Sequence, residues 1–265
     1  MCGRYSLILS PDELADTFDA TWDDAHPPEP TPQVAPTDIA PIVVLDPHHT
    51  TPGTSADAPD PSATDHHDST ASPPPARRLL RSASFGWQVP WQRSGRLLNA
   101  RAEGVTHRRT FRDAVADPAR RCLVPASGWF EWQRRGADRQ PWHHRTGNRQ
   151  PLAFAALLAP LPPPPTTQAD LFGQTPPAPT HAFCILTRPS PPPLDRIHDR
   201  MPLVLDPAQA TGWLECTVAQ EDLALLLPRR ILLVAEMVDP AMGNPRHRPP
   251  DLLTPRHDET LTWED

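Results

Sequence analysis

Proline is the residue that most limits how this chain can fold. The sequence holds 39 prolines among 265 residues. They concentrate in two stretches, at about 47–76 and 160–180, that contain few large apolar side chains. Such segments cannot bury enough apolar surface to offset the conformational entropy lost on ordering. We therefore expect two disordered insertions within a single domain over residues 1–258, since the remaining chain is long enough to bury one core.

Outside the insertions the chain has many short apolar runs with helical segments among them, and no regular strand–helix alternation. The run Ser10-Pro11-Asp12-Glu13 combines an N-cap, a proline and a capping-box glutamate, which predicts a helix to about Phe18. The first strand, expected at 4–9, should lie at a sheet edge and hold the amino terminus. The pattern indicates the α+β class, with a largely antiparallel, barrel-like β-sheet core and flanking short helices. Further strands are expected at 39–45, 79–87, 122–125, 128–133, 142–145, 152–158, 183–187 and 231–238, and further helices at about 106–118, 206–214 and 221–227.

The charges are segregated along the sequence. The formal net charge is −7, yet residues 10–76 hold thirteen acids and no arginine. Residues 77–149 hold sixteen arginines against five acids, an excess of eleven positive charges. Such a basic block is typical of phosphate binding; the alternative is a solvated arginine-rich surface. The chain contains no lysine, so imine chemistry would have to use an α-amine.

Cysteine usage and hydropathy indicate the cellular compartment. The four cysteines show no Cys-x-x-Cys spacing, which favours a reducing environment. The amino terminus lacks a basic segment followed by an apolar run, and no segment reaches the roughly 20 apolar residues needed to span a bilayer. We expect a soluble, cytoplasmic protein with no membrane partner, no metal and no small-molecule cofactor.

The first residues offer unusual chemistry. If Met1 is removed, Cys2 carries a free α-amine and a thiol on adjacent carbons, with ordinary pKa values of about 7.7–8.0 and about 8.5. Both groups are then expected to be partly in their nucleophilic forms at neutral pH. An aldehyde can close a five-membered ring with this pair. The alternative is that Cys2 is inert.

Six short motifs occur in one order along the chain. They are Met1-Cys2-Gly3-Arg4-Tyr5, Val34-Ala35-Pro36, Gly86-Trp87 with Pro90-Trp91, Asn99-Ala100-Arg101-Ala102-Glu103, Pro125 with Gly128-Trp129-Phe130-Glu131-Trp132, and His198-Asp199-Arg200-Met201-Pro202. Together they resemble the SOS response-associated peptidase (SRAP) family. The resemblance implies a covalent thiazolidine crosslink between Cys2 and abasic sites in single-stranded DNA, and the family name records a proposed peptidase activity.

The resemblance also implies roles for particular residues. Those implied to be catalytic are Cys2, Asn99, Glu131 and His198, and those implied to bind DNA are Arg4, Trp91, Arg101, Arg109, Thr187 and Arg200. Two departures from the family pattern affect base contacts: Gln33 replaces the usual asparagine before Val-Ala-Pro, and Pro90-Trp91 lacks the paired aromatics of some members.

The residue chemistry agrees with these roles. Glu131 stands among aromatic residues, and apolar surroundings raise a carboxyl pKa toward neutrality, which suits acid–base work. His198 could protonate the ring oxygen of the sugar. The alternatives are a surface glutamate and a structural histidine, and Trp91 could belong to the core instead of stacking on a base.

Three functions fit these features. The first is an enzyme of the DNA damage response, associated with the nucleoid and acting as a monomer, that captures abasic sites in single-stranded DNA. The second is a cysteine peptidase with an N-terminal nucleophile. The third is a non-catalytic single-strand binder that uses arginines and tryptophans alone.

Overall fold

A computed structural model describes residues 2–47, 76–89, 95–162, 178–217, 223, 231–246, 248–256 and 259–264. Most of both expected insertions, Trp91, and nearly all of the expected helix at 221–227 lie outside these ranges. Among the described residues, no helix is long and apolar enough to cross a membrane.

The described chain consists mainly of short strands, with three short α-helices. The strands are β1 (Tyr5–Leu7), β2 (Ala20–Trp22), β3 (Thr31–Val34), β4 (Ile39–Leu45), β5 (Arg78–Phe85), β6 (Asn99–Arg101), β7 (Arg121–Ala126), β8 (Gly128–Arg135), β9 (Asp138–Thr146), β10 (Leu152–Pro160), β11 (His181–Pro189), β12 (Arg200–Pro202), β13 (Val204–Leu205), β14 (Leu233–Met237) and β15 (Thr260–Trp263). The helices are α1 (Pro11–Phe18), α2 (Arg112–Ala116) and α3 (Pro207–Leu214). Single 3₁₀ turns occur at Val105–His107, Pro118–Arg120, Leu194–Arg196, Pro240–Gly243 and Pro250–Leu253.

Five strands close into a ring. The order β11-β10-β7-β4-β5 is antiparallel throughout, and β5 then pairs in parallel with β11. Closure leaves no free edge within the ring. Aromatic side chains fill the core: Phe85 stacks on Phe183 at 5.1 Å between ring centroids, and Tyr5 meets Phe85 edge-on at 5.8 Å. The α+β, barrel-like prediction is confirmed.

A second sheet carries the amino terminus. Its strand order is β15-β14-β9-β8-β1-β3, so β1 lies between β8 and β3. The prediction of an edge position was wrong, because β3 was not recognised as a strand. Strand β15 was also missed; it pairs with β14 beyond the predicted domain end at residue 258.

A buried side-chain hydrogen bond also fixes β1. Ser6 Oγ lies 2.9 Å from His143 Nε2, two strands away. Gly128 on the intervening strand makes this possible, since a Cβ at that position would lie 2.3 Å from His143 Nε2. Burial lowers the pKa of His143 to about 3, so this histidine is neutral.

Local sequence signals place α1 correctly. Ser10 Oγ accepts from the Glu13 backbone N–H at 3.3 Å, and Glu13 Oε2 accepts from the Ser10 N–H at 2.7 Å. The helix expected at 106–118 is instead split into a 3₁₀ turn and α2. Arg108 between them has extended backbone, which lets both Val105 and Phe111 be buried.

Both insertions leave the barrel at the same end. The first joins β4 to β5, whose last pair is Leu45 with Arg78, and the second joins β10 to β11, whose last pair is Pro160 with His181. Strands β4 and β10 run in the same direction around the ring, since each is antiparallel to β7. The opposite end of the barrel holds Thr187, on the carboxyl-terminal half of β11, and β6 beside it.

We expect replacement of residues 48–75 by a four-residue Gly/Ser turn to leave the protein folded and active. Leu45 and Arg78 are already paired, and Asp46 N–H donates to the Arg77 carbonyl at 2.9 Å, so a short turn can close the hairpin. Loop-closure entropy changes slowly with length, so stability should change by no more than about 1 kcal/mol. Thermal unfolding measures this, and a much larger loss would show that the segment contributes to the fold.

Candidate functional site

Cys2 is buried and its backbone is fixed by a side chain from the barrel. Its relative exposure is 0%. Asn99 Nδ2 donates to the Cys2 carbonyl oxygen at 2.9 Å. Asn99 lies on β6, which runs parallel to β11 with Asn99 opposite Ile185. The structure thus joins two predicted site residues that are 97 positions apart.

The thiol of Cys2 is in its protonated form at neutral pH. Burial raises its pKa well above the ordinary value, and the negative charge of Glu131 raises it further. The expectation of a partly ionised thiol used the pKa of an exposed cysteine for the chain without Met1; in the chain that carries Met1, burial opposes this ionisation. A thiol in this environment needs a base before it can attack.

Glu131 has the burial and the pKa that are expected of a general acid or base. It lies on β8 with 2% relative exposure. Burial raises its pKa to about 7, and the charge of Asp199 also raises it, while the positive charge of the amino terminus acts in the opposite direction. Near neutral pH the group can therefore both donate and accept a proton. The expected pKa shift is confirmed.

His198 lies beside Glu131 in the loop before β12. Its Nε2 is 3.8 Å from Glu131 Oε2, and its Nδ1 accepts the Arg200 backbone N–H at 3.0 Å. Asp199 Oδ1 is 2.9 Å from the same Nδ1. Burial, together with the positive amino terminus, lowers the pKa of His198 below its ordinary value. The ring is thus mainly neutral at pH 7.

Arg4 holds the segment that follows β14 against the amino-terminal strand. Its Nη1 donates to Gln33 Oε1 at 2.9 Å and to the Met242 carbonyl at 2.6 Å. The guanidinium also lies over the Trp132 ring, 5.3 Å from its centroid. Gln33, the departure from the family pattern, also donates to the Asn244 carbonyl at 3.2 Å. In this chain the glutamine therefore contributes to packing around Arg4.

Thr187 and Arg200 are buried together. Arg200 Nη2 donates to the Thr187 carbonyl at 2.6 Å and contacts Thr187 Oγ1 at 3.2 Å. The same guanidinium forms a two-point ion pair with Glu103, whose Oε2 accepts from Nη2 at 2.8 Å. Both terminal nitrogens of Arg200 are thus occupied.

Arg101 and Arg109 are exposed. Neither forms a hydrogen bond or an ion pair with any residue in the described ranges, so both charges face solvent. Arg108 and His107 beside them are exposed as well. The predicted DNA-binding residue Trp91 lies outside the described residues.

The basic block is not one surface. Arg121 is fully buried, donates to the Val115 carbonyl at 2.8 Å and the Trp213 carbonyl at 3.0 Å, and stacks on Trp213. Arg145 forms a two-point ion pair with Glu236. Part of the charge excess therefore stabilises the fold, and the arginines of the 101–109 segment are among those open to a ligand.

Glu103 and Asp199 belong to two of the six motifs, but no role was predicted for either residue. Both contact site groups: Glu103 binds Arg200, and Asp199 lies against His198. Their position inside the motifs was the only sign in the sequence that they are functional. A sequence pattern does not show which residue an exposed carboxylate will bind. Among the described residues, no group of three His, Cys, Asp or Glu side chains could hold a metal ion.

Sequence similarity to known proteins extends over nearly the whole chain. The sequence is 24% identical over 264 residues to abasic site processing protein YoaM of Bacillus subtilis, covering 96% of this chain and 97% of that protein. It is 26% identical over 175 residues to abasic site processing protein YedK of Escherichia coli, covering 64% of this chain and 72% of that one.

A crystal structure of a Bacteroides thetaiotaomicron protein has the same fold. It superposes with a TM-score of 0.66 at 18% identity, covering 96% of this chain and 99% of that one. The sequence model of the family described as SOS response associated peptidase (SRAP) matches residues 1–245. With the match extending over the amino-terminal cysteine and every site segment described above, this chain belongs to the SRAP family.

Proposed function

We propose that this protein captures abasic sites in single-stranded DNA by forming a thiazolidine with Cys2 after Met1 is removed. The observation that carries the proposal is the position of Cys2: it is buried, held through its carbonyl by Asn99, and next to a carboxyl whose pKa is about 7. The names of the relatives YoaM and YedK, both abasic site processing proteins, support the same substrate.

The reaction begins with the α-amine. An abasic deoxyribose in its open form exposes an aldehyde. His198 can promote ring opening by giving the Nε2 proton to the ring oxygen as the C–O bond breaks, while the proton of the C1 hydroxyl group returns to Nε2, so the histidine ends in its neutral form. The amine of Cys2 adds to the carbonyl carbon and forms a carbinolamine. Glu131 in its acid form then protonates the hydroxyl, water leaves, and a protonated imine remains.

Ring closure uses the thiol of the same residue. Cys2 Sγ attacks the carbon of the protonated imine, the thiol proton passes to the Glu131 carboxylate, and the C=N electron pair moves to the nitrogen as the C–S bond forms. The atoms balance: one water is lost overall and no oxidant or reductant is needed. Since amine and thiol belong to one residue, closure is intramolecular, and well-oriented intramolecular reactions reach effective concentrations of about 10⁵–10⁸ M.

A denaturing gel tests the proposal against its alternatives. The mature protein, with removal of Met1 checked by mass spectrometry, is incubated with a single strand that carries one abasic site. We expect a heat-stable shifted band that is absent with the intact strand. A protein that binds the strand without this band would be a non-catalytic binder, and cleavage of a peptide substrate without the band would favour the peptidase function.

We further propose that Arg4, Arg101 and Arg109 lie along the phosphates, with Trp91 stacking on a base and Thr187 beside the reacting sugar. The protein would act as a monomer in the cytoplasm, at the nucleoid, without a cofactor. Exposed guanidinium groups bind phosphate through two parallel hydrogen bonds.

Salt dependence tests the phosphate path. Each phosphate contact on a single strand contributes a slope of about −0.7 to a plot of log affinity against log salt. We expect Arg101→Ala and Arg109→Ala each to flatten the slope by about that amount, measured by fluorescence anisotropy on a strand without an abasic site. Arg145→Ala serves as the control because that arginine is paired with Glu236. A slope that neither variant changes would place the strand elsewhere.

A further inference from the structure

Arg200 was expected to bind phosphate, but its guanidinium faces other groups of the protein. Only 8% of its side chain is exposed. Both terminal nitrogens bond to Glu103, and Nη2 also bonds to Thr187. The remaining nitrogen, Nε, is buried and has no partner among the described residues. Little of this group is therefore accessible to a DNA strand.

The ion pair joins two parts of the site. Glu103 follows β6, the strand that carries Asn99 and through it holds the Cys2 carbonyl. Arg200 begins β12, directly after His198 and Asp199. The neighbouring backbone completes the link, since Ala102 N–H donates to the Thr187 carbonyl at 2.8 Å. Strands β6 and β12 both pair with β11, and the Glu103–Arg200 ion pair adds a direct side-chain link between β6 and the loop that carries His198.

Arg200 also acts on His198 through its backbone. The Arg200 N–H donates to His198 Nδ1 at 3.0 Å, and a nitrogen that accepts a hydrogen bond carries no proton. The neutral ring therefore has its proton on Nε2, the nitrogen 3.8 Å from Glu131 Oε2. Asp199 Oδ1, 2.9 Å from Nδ1, favours the opposite tautomer, with a proton on Nδ1. Two neighbours thus compete for one ring nitrogen.

We propose that the Glu103–Arg200 ion pair is a clamp that positions His198, keeping the Arg200 N–H on Nδ1 and the His198 proton on Nε2. Glu103 and Arg200 are then positioning residues. When the clamp is lost, the Arg200 backbone can move away, and Asp199 can accept a hydrogen bond from a protonated Nδ1. The catalytic consequence rests on the function proposed above, whereas the tautomer itself does not.

The test compares Glu103→Ala and Glu103→Gln with a matched control. Glu259→Gln breaks another glutamate–arginine pair, with Arg135, in which the glutamate is about as exposed as Glu103. Three quantities are measured: the single-turnover crosslinking rate, the affinity and its salt slope on an intact strand, and the ¹⁵N shifts of His198, assigned with His198→Asn. Arg200→Lys is a second test, because a lysine cannot form the two-point ion pair.

We expect Glu103→Ala to lower the crosslinking rate about 10–100-fold, as small misplacements of a catalytic group do, with affinity and salt slope unchanged. Its His198 ¹⁵N shifts should move toward the form protonated on Nδ1. Glu103→Gln, which can still accept one hydrogen bond, should lie between Glu103→Ala and the wild type. Arg200→Lys should resemble Glu103→Ala, and Glu259→Gln should behave as the wild type.

Two results would overturn the clamp. One is a folded Glu103→Ala variant with unchanged rate and unchanged ¹⁵N shifts. The other is a salt slope steeper by about 0.7, with the tautomer unchanged, which would mean that the released Arg200 binds a phosphate. Thermal unfolding shows whether Glu103→Ala is folded. If it is not, the same measurements on Glu103→Gln decide the question. If the wild type itself forms no crosslink, the proposed function fails, while the ¹⁵N shifts still decide on the clamp.

Discussion

A variant that keeps a residue in front of Cys2 will form no heat-stable crosslink with an abasic strand. Inserting a leucine between Met1 and Cys2 blocks removal of Met1, so the nitrogen of Cys2 becomes an amide and loses its nucleophilicity. The thiol remains, but alone it can form only a reversible adduct with an aldehyde. The chain contains no lysine, and the α-amine of the retained Met1 has no thiol on the adjacent carbon, so it can form only a reversible imine. The measurement is the denaturing gel described above, with strand binding as the control for folding.

Cys2→Ser is the complementary variant. It retains the α-amine and should form an imine that borohydride traps, but no band without the reductant. The pair of variants separates the two nucleophiles of one residue. Crosslinking by the leucine-insertion variant at the wild-type rate would mean that the amine is not used, and the mechanism would then be wrong.

Glu131→Gln should lower the crosslinking rate about 10²–10⁴-fold, the usual contribution of a general acid or base. The amide has the size of the carboxyl group but cannot transfer a proton. In the wild type, the reaction uses the protonated carboxyl group of Glu131, which loses its proton as pH rises through about 7. The crosslinking rate should therefore fall above neutral pH. The variant should lack this pH dependence. Rates measured under single-turnover conditions between pH 5.5 and 8.5 test both points.

The same substitution should stabilise the protein at alkaline pH. The folded-state pKa of Glu131 is raised to about 7, so the folded state holds this proton more tightly than the unfolded chain does. The wild type therefore loses stability as pH rises from about 4.5 to 7, by up to about 3 kcal/mol. Glu131→Gln avoids that loss and should melt at a higher temperature than the wild type at pH 8. A variant that is both slower and less stable there would point to a structural role.

Local signals account for the parts of the fold that were predicted correctly. The capping box at Ser10 and the apolar run at 39–45 act within a few residues, and both elements were found with nearly the expected bounds. The edge position of β1 was wrong because β3 contains Pro32 and is only four residues long. Its pairing depends on residues far away in the sequence, which a local pattern cannot show.

The site shows the same division between local and distant causes. The aromatic neighbours of Glu131 predicted its raised pKa, because flanking residues on a strand largely decide burial. The raised pKa of the Cys2 thiol depends on its burial and on Glu131, which is far away in the sequence, and was not predicted. The pairing of Arg200 with Glu103 joins residues 97 positions apart, so the sequence indicated a cation without showing which partner it would meet.

The exit of both insertions from one end of the barrel matters for how the protein can be observed. The amino terminus is itself the proposed reagent, so a tag there would abolish the activity to be watched. The hairpin that ends at Leu45 and Arg78 lies at the barrel end away from Thr187 and β6. A fluorescent domain or surface anchor spliced between those strands would leave Cys2 free, and single molecules could then be followed while they engage DNA.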